Sequence, residues 1–357
     1  MTQPALHVRG RVLPSDDVVD LWIADGVIQA ERALDAETIR TEGYILPGLV
    51  DAHCHIGLGP QGPVGADVAR SQAEADLAVG VMLVRDAGSP SDTRWIDDEP
   101  RLPQIVRAGR HIARAKRYIR YLAAEVEPED LVDEVRIQAR AGDGWVKLVG
   151  DWIERGVGDL APLWPADIAA QAIAAAHEEG ARVTAHCFQE QSVAELVAAG
   201  IDCIEHGTGL APDVIEEMAQ RGTALVPTMI NLANFPLYAQ QGEAKFPTYS
   251  AHMRDLHARR YETIGMAVEA GVPVYSGTDA GTVVAHGRTP DEILELAKVG
   301  GAEFALGAAS WRARPWLGTQ NLVPGASADL VVYDEDPRTN LGIVRNPALK
   351  ILRGRVV

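Results

Sequence analysis

His53 and His55 stand at i and i+2 in the run GLVDAHCHI (48–56). Residues two apart on a strand share a face, so this pair can offer two imidazole nitrogens to one point. Alone, an HxH pair is more often two hydrogen-bonded or solvated histidines. Four other apolar runs carry a residue of similar use at or near their C-terminal ends: Lys147 in GWVKLVG, His186 in RVTAHC, His206 in CIEHG and Asp279 in VPVYSGTD. A lysine or aspartate inside an apolar strand is costly to bury unless it is paired or coordinated. Gathered at one point, four histidines, a carboxylate and a lysine would supply nitrogen and oxygen donors suited to Zn²⁺ or a similar divalent ion.

Such a gathering requires elements that bring distant strand ends together. β-like runs recur at 48–56, 81–88, 104–112, 144–150, 182–187, 203–207, 223–229 and 272–279. They are nearly continuous in apolar residues, the pattern of strands covered on both faces. Between them lie helical stretches: PADIAAQAIAAAHEEG with Pro165 near its start and Gly180 just past its end, then SVAELVAAG (192–200), then APDVIEEMAQRG (211–222). A βαβ repeat of about 20 residues predicts an α/β fold, a (β/α)₈ TIM-like barrel, whose sites sit at the C-terminal ends of its strands. Two connections, 113–143 and 230–271, are too long for plain crossovers. The second holds Asn231, Asn234, Phe235, Tyr238, Phe246, Tyr249 and His252, a mixture unlike a helix face, and reads as a loop over the mouth. Both termini carry short β-like runs of similar texture, with a hairpin turn at Asp25-Gly26, which predicts a small β-sandwich built from both ends. The expected division is 1–47 and 315–357 for the sandwich and 48–314 for the catalytic barrel.

The chain has 357 residues, 33 basic against 50 acidic, for a formal charge of −17, and that acidity argues against nucleic acid and anionic membranes as partners. Cys54, Cys187 and Cys203 are an odd number without CxxC spacing, the N-terminus MTQPALHVRG lacks an apolar stretch behind a basic start, and no run approaches a membrane span; a cytoplasmic protein is expected. All three cysteines, and Glu205, are expected to alternate with the candidate ligands and face the helices. The partner expected is a small-molecule substrate; the sequence is compatible with a homo-oligomer.

The order HxH, Lys, His, His, Asp, with PGLVDAHCHIG, VRDAG, IEHG, GTDAG and PGASADLVVYDEDP, resembles the metal-dependent amidohydrolase superfamily, in its imidazolonepropionase-like and prolidase-like (Xaa-Pro dipeptidase) branch, over residues 44–357. The resemblance implies two divalent metal ions, Zn²⁺ foremost, with Lys147 carboxylated by CO₂ to a bridging carbamate. One ion would take His53, His55 and Asp279, the other His186 and His206. A metal-bridging hydroxide would attack the substrate, with Asp279 as general base and then acid, so the implied activity is hydrolysis of an amide-type C–N bond in a dipeptide, N-acyl amino acid or cyclic amide. Alternatives on the same site are a lactone or carbamate hydrolase, a mononuclear imidazolonepropionase-like enzyme or deaminase, and a catalytically dead binding scaffold. Gln189 stands where the deaminases carry a proton-shuttling glutamate, and Lys147 is a residue that they generally do not use; both count against deamination.

Substrate contacts are less clearly marked. His111 ends the third run in the right region, although Gly109-Arg110-His111 departs from the Gly-Gly-His of many relatives. Arg114, Lys116, Arg117 and Arg120 form a basic cluster that could hold a substrate carboxylate, or be a solvated helix face. His286, seven residues beyond Asp279, could reach substrate. His177, His252 and His257 read as structural or solvated.

Overall fold

Every ladder among the central strands runs parallel. In the computed structural model, which describes residues 4–357, the first strand (Leu49–Cys54) pairs with the second (Val81–Asp86), and the second with the third (Gln104–Arg107). A further set joins the fourth (Trp145–Val149), fifth (Arg182–Cys187), sixth (Cys203–His206) and seventh (Ala224–Val226). The eighth run forms no long ladder, but Leu225 N–H donates to the Pro273 carbonyl (2.8 Å) on one side and Ala52 N–H to that of Ser276 (2.8 Å) on the other. The result is a TIM-barrel-like α/β fold with helices covering the strands. Residues 1–3 of the terminal segment lie outside the described residues.

The third run, expected as one strand over 104–112, is broken. Gln104–Arg107 faces the second strand and Ile112–Arg114 reaches the fourth, where Ile112 pairs with Leu148. Gly109 makes the break. Its φ is +68°, and a Cβ there would lie 2.7 Å from Gln138 Oε1, which accepts the Arg110 N–H. Only glycine reconciles that conformation with so close a neighbour.

Both termini contribute to one eight-stranded sheet, joined where Tyr44–Pro47 runs antiparallel to Leu330–Tyr333. Val8, Ile23, Ile45, Leu330 and Ile351 form its apolar centre. The Asp25-Gly26 turn has positive φ at both residues (52° and 82°), as a two-residue hairpin requires. Among the described residues no helix is long and apolar enough to cross a membrane.

The segment after the seventh strand is helical, which corrects the expected loop. It contains Met229–Leu232, Phe235–Gly242 and the 23-residue helix Pro247–Glu269, with prolines early in the last two, where a missing N–H costs nothing. The buried residues Tyr249, Met253, Leu256, Ile264 and Ala267 fall on one helical stripe, but polar neighbours such as Ser250 and Thr263 are buried with them and blur the period. The insert still covers the mouth. The Glu292 carboxylate accepts the Met229 and Ile230 N–H groups (both 2.9 Å), anchoring its start.

Farther along, His252 is clamped between Asp159 (3.0 Å) and Glu190 (3.1 Å). The hydrogen bond to Glu190 outweighs burial and, with Asp159, raises the imidazole pKa from 6.5 to about 9. A raised folded-state pKa stabilises fully below the unfolded value, about 6.5, and the contribution is lost as pH rises through about 9. The Tm difference between the protein and His252→Gln should therefore shrink between neutral pH and pH above about 9. A difference constant across that range would remove the clamp from this role.

Candidate active site

Strand geometry delivers the six residues in three ways. Lys147 and His186 arrive by plain alternation: Trp145 and Lys147 share a face, Lys147 pairs with Thr184, and Thr184 shares its face with His186. On the first strand alternation is interrupted. Val50 and Ala52 pack in the apolar plug with Trp145, which would turn His53 outward, but the register slips between Asp51 and Cys54. This bulge turns His53 inward. At the sixth and eighth strands the chain bends instead, with His206 at φ 68° and Asp279 at φ 58°. Non-glycine residues adopt this left-handed conformation at a cost of order 1–3 kcal/mol, and both do so where the strand ends at the site. Gly277 allows the close approach of the eighth run, since a Cβ there would lie 2.8 Å from the His53 backbone nitrogen.

All six converge and are buried or nearly so. Asp279 Oδ1 lies 3.2 Å from His53 Nε2 and 3.1 Å from His55 Nε2, and His206 Nε2 lies 3.1 Å from His186 Nδ1. His53, His206 and Asp279 each place a potential ligand atom within 4.8 Å of the others. Lys147 Nζ and His186 Nε2 are buried with no hydrogen-bond partner among the described residues. Polar atoms are rarely left so in a native interior, and two orphaned nitrogens beside a carboxylate and three more imidazoles could hold a cation.

Glu205 overturns its expected position. Because the sixth strand bends at His206, Glu205 and His206 both enter the barrel interior. Glu205 accepts from His53 Nδ1 (2.7 Å), from the Arg85 guanidinium and from the Thr184 hydroxyl, all fully buried. Cys203, two residues earlier on the same face, is also interior and touches Arg85 and Glu205, whereas Cys54 and Cys187 pack outward as expected. Glu205 therefore fixes the His53 ring, with Nδ1 bonded and Nε2 aimed at Asp279. A carboxylate immediately before a strand-end histidine was the one signal available for it.

The charges sort accordingly. Burial opposes ionisation of Asp279, but His53 and the hydrogen bonds from His53 and His55 hold its carboxyl well below the usual range. Burial likewise opposes the Glu205 anion, and Arg85 and His53 outweigh it. Burial lowers the Lys147 pKa, against the pull of Glu205 and Asp279, and takes His206 down to about 3. His186 is pushed well below its ordinary value by burial and by His206. Burial thus favours the neutral, lone-pair-donating forms of His186 and His206, whereas at His53 the Glu205 and Asp279 carboxylates outweigh burial and Lys147 and raise the imidazole pKa.

Asn231, expected in a loop, is a neighbour of the site: its Nδ2 donates to Asp279 Oδ2 (2.6 Å) and its Oδ1 accepts from the Tyr238 hydroxyl (3.1 Å). Above the cluster opens a cavity of about 490 Å³ walled by Tyr118, Trp152, Phe188, Tyr238, Phe246 and Tyr249. His111 lines it, its ring 5.0 Å from that of His55. Lys116 does not line this cavity but borders the adjoining one. Arg114 is paired with Glu127, and Arg117 with Glu154 and the Trp152 carbonyl, so neither reaches the cavity wall. His286 is turned away and buried against Asp76 (2.8 Å), because the Asp76 carboxylate also accepts the Gly287 N–H and draws the whole turn down. His177 bonds Asp202.

The Amidohydrolase family matches residues 44–355, most of the chain. The protein belongs to the amidohydrolase family. Uncharacterized proteins of Mycobacterium tuberculosis and Mycobacterium bovis are each 57% identical to this amidohydrolase over 352 residues, 98% of its length and 95% of theirs. Among solved structures, a Xaa-Pro dipeptidase with methionine bound in its active site superposes with a TM-score of 0.81 at 21% identity, covering 99% of both chains. Ochratoxinase of A. niger gives 0.79 at 17%, covering 100% of this chain and 96% of that one. Molinate hydrolase gives 0.74 at 16%, covering 100% and 95%. The family makes this protein a hydrolase, and the shared fold is that of prolidase-like members.

Proposed function

We infer that the protein is a metal-dependent amidohydrolase cleaving an amide-type C–N bond in a small apolar substrate with a carboxylate, such as a dipeptide or N-acyl amino acid. The observation that carries this reading is Lys147, buried without a hydrogen-bond partner among the described residues where four histidines and Asp279 meet. The donor set fits two divalent ions. His53, His55 and Asp279 would hold one, His186 and His206 the other, and Lys147, its amine biased toward neutrality and hence nucleophilic toward CO₂, would become a shared carbamate. When bound, such ions polarise a carbonyl and lower the pKa of water from 15.7 to roughly 7.

The remaining work falls to the chain. Asn231 and the two histidines hold the Asp279 carboxylate ionised and in place, ready to take a proton from the attacking water. Attack first forms the C–O bond at the carbonyl carbon, and the C–N bond then breaks as Asp279 returns the proton to the leaving nitrogen. Glu205 keeps His53 in one tautomer, and the aromatic walls exclude bulk water. His111 stands at the cavity as a substrate contact; Arg114, Arg117 and His286 are withdrawn from that role by their ion pairs.

A closed (β/α)₈ barrel over 48–314 is supported by hydrogen bonds from the eighth run to both its neighbours, and a β-sandwich domain of 1–47 and 315–357 by the eight-stranded sheet to which both termini contribute. Three buried free cysteines support a reducing, cytoplasmic setting.

Elemental analysis of the purified protein should return about two divalent ions per chain, and Lys147→Met should hold markedly less. Intact-mass measurement under native conditions should find the mass of one CO₂ in the protein and none in Lys147→Met. A hydrolysis screen of the Zn-loaded protein against dipeptides, N-acyl amino acids, cyclic amides and lactones then names the substrate. No metal and no turnover in any class would sink the proposal.

A further inference from the structure

Beside the aromatic cavity lies a second one of about 810 Å³, and the two share Tyr118, Trp152, Ile153, Lys245 and Phe246. Three aromatic side chains, Tyr118, Trp152 and Phe246, therefore line both. The Tyr118 ring centroid stands 5.7 Å from His186, and Trp152 stands 5.6 Å from His186, while both residues also face the outer cavity.

The outer cavity is basic. Arg110, Lys116, Arg120, Arg155 and Lys245 line it, against a single carboxylate, Glu125. In a chain of formal charge −17 this excess runs against the background. None of the five forms an ion pair among the described residues. Arg110 spends its donors on the neutral carbonyls of Leu122 and Tyr121, and Lys245 lies 5.2 Å from the Phe246 ring. Their neighbours behave differently: Arg114 and Arg117, from the same stretch, are both paired, with Glu127 and Glu154. Lys116, Arg120, Arg155 and Lys245 are exposed, yet all five cations border one open cavity, and in so acidic a protein carboxylates are at hand to pair them.

We propose that this outer cavity is an anion-binding vestibule, so that the substrate carries an apolar or aromatic part against the inner walls and an oxyanion, carboxylate or phosphate-like, beyond Tyr118 and Trp152. The proposal rests on the hydrolase reading in placing the scissile bond at the histidine cluster, but the binding itself needs no turnover. Unpaired guanidinium and ammonium groups over an aromatic floor bind such an anion by charge-assisted hydrogen bonds and draw it toward the mouth of an otherwise repulsive surface.

The test compares two fluorescent probes of equal apolar body, 1-anilinonaphthalene-8-sulfonate and its uncharged counterpart N-phenyl-1-naphthylamine, on the intact protein. The anion should bind at least about tenfold more tightly at low ionic strength, with the gap narrowing toward about 0.5 M NaCl as the Debye length falls. Lys116→Glu with Arg155→Glu, both exposed positions, should abolish the gap while leaving the neutral probe bound as before, which also reports that the fold is intact. Displacement of the anionic probe by 3-phenylpropionate or by phenylphosphonate, neither of which has an amide to cleave, identifies the oxyanion preferred. Equal affinity for the two probes, a gap untouched by the double substitution, or displacement by neither competitor would overturn the vestibule. Because neither metal content nor hydrolysis is read, its failure stays distinct from failure of the proposed activity.

Discussion

Asp279→Asn is expected to lower kcat by about 10²–10⁴-fold on the substrate returned by the hydrolysis screen, the range that a positioned acid–base group supplies. The carboxylate is held ionised by His53 and His55 and receives a hydrogen bond from Asn231, so it is poised to accept a proton without first losing one. An asparagine side chain keeps an oxygen at the same place but cannot take up that proton. Metal content, measured on the same preparation, should stay near that of the parent, because the four histidines and Lys147 are untouched. An unchanged kcat would take the acid–base role away from Asp279. A variant that lost its metal entirely would show a ligand first and a proton carrier only second. Asn231→Ala offers a graded comparison, leaving the carboxylate in place with one hydrogen bond fewer, and a smaller fall in kcat is expected.

The second large effect concerns stability. Glu205→Ala removes the partner of Arg85 and of His53 Nδ1 at the centre of the barrel, leaving a guanidinium at 0% exposure without its counter-charge. Breaking one side of a buried pair typically costs about 3–5 kcal/mol, because the surviving charge stays desolvated and unpaired. Urea unfolding followed by tryptophan fluorescence should show the midpoint falling accordingly. Arg85 also stacks over Trp145 (4.6 Å) and Trp316 (4.9 Å) and donates to the Ala52 carbonyl, so the loss would loosen the apolar plug beneath the site. Arg85→Met combined with Glu205→Leu, apolar groups of similar volume, should recover most of the stability and none of the activity, since His53 would have lost the acceptor that orients it. A single Glu205→Ala substitution that unfolded at the parent midpoint would contradict the assigned network.

The residues named from the sequence do meet at one point, and the reason is that strand period and chain order are local properties. Alternation from Trp145 to Lys147 and from Thr184 to His186 needs nothing beyond the two-residue repeat. Where alternation misled, a backbone event intervened: the register slip that turns His53 inward, and the left-handed residue at His206, which puts its side chain inside together with those of Cys203 and Glu205. Neither leaves a mark in residue type, since histidine, glutamate and cysteine are compatible with either face. The helical insert hides its period for a related reason. Asn231, Tyr238, Phe246 and Tyr249 are spent on the cavity, and the long helix buries Ser250 and Thr263 beside its apolar residues, so no clean apolar stripe marks it.

Substrate contacts depended most on tertiary structure. Arg114, Lys116, Arg117 and Arg120 look alike in the sequence, yet two are paired with Glu127 and Glu154 and two stay free at the vestibule, joined there by Arg155 and Lys245 from other segments. Pairing depends on which carboxylates distant loops bring within reach, and no local pattern records that. The sequence by itself determined the alphabet and order of the chemistry: strand-end histidines, a buried lysine and an aspartate, spaced by βα repeats. Tertiary structure alone decided which carboxylate orients His53, which amide holds Asp279 and which cations remain unpaired, because hydrogen bonds and ion pairs are set by distances across the chain rather than along it.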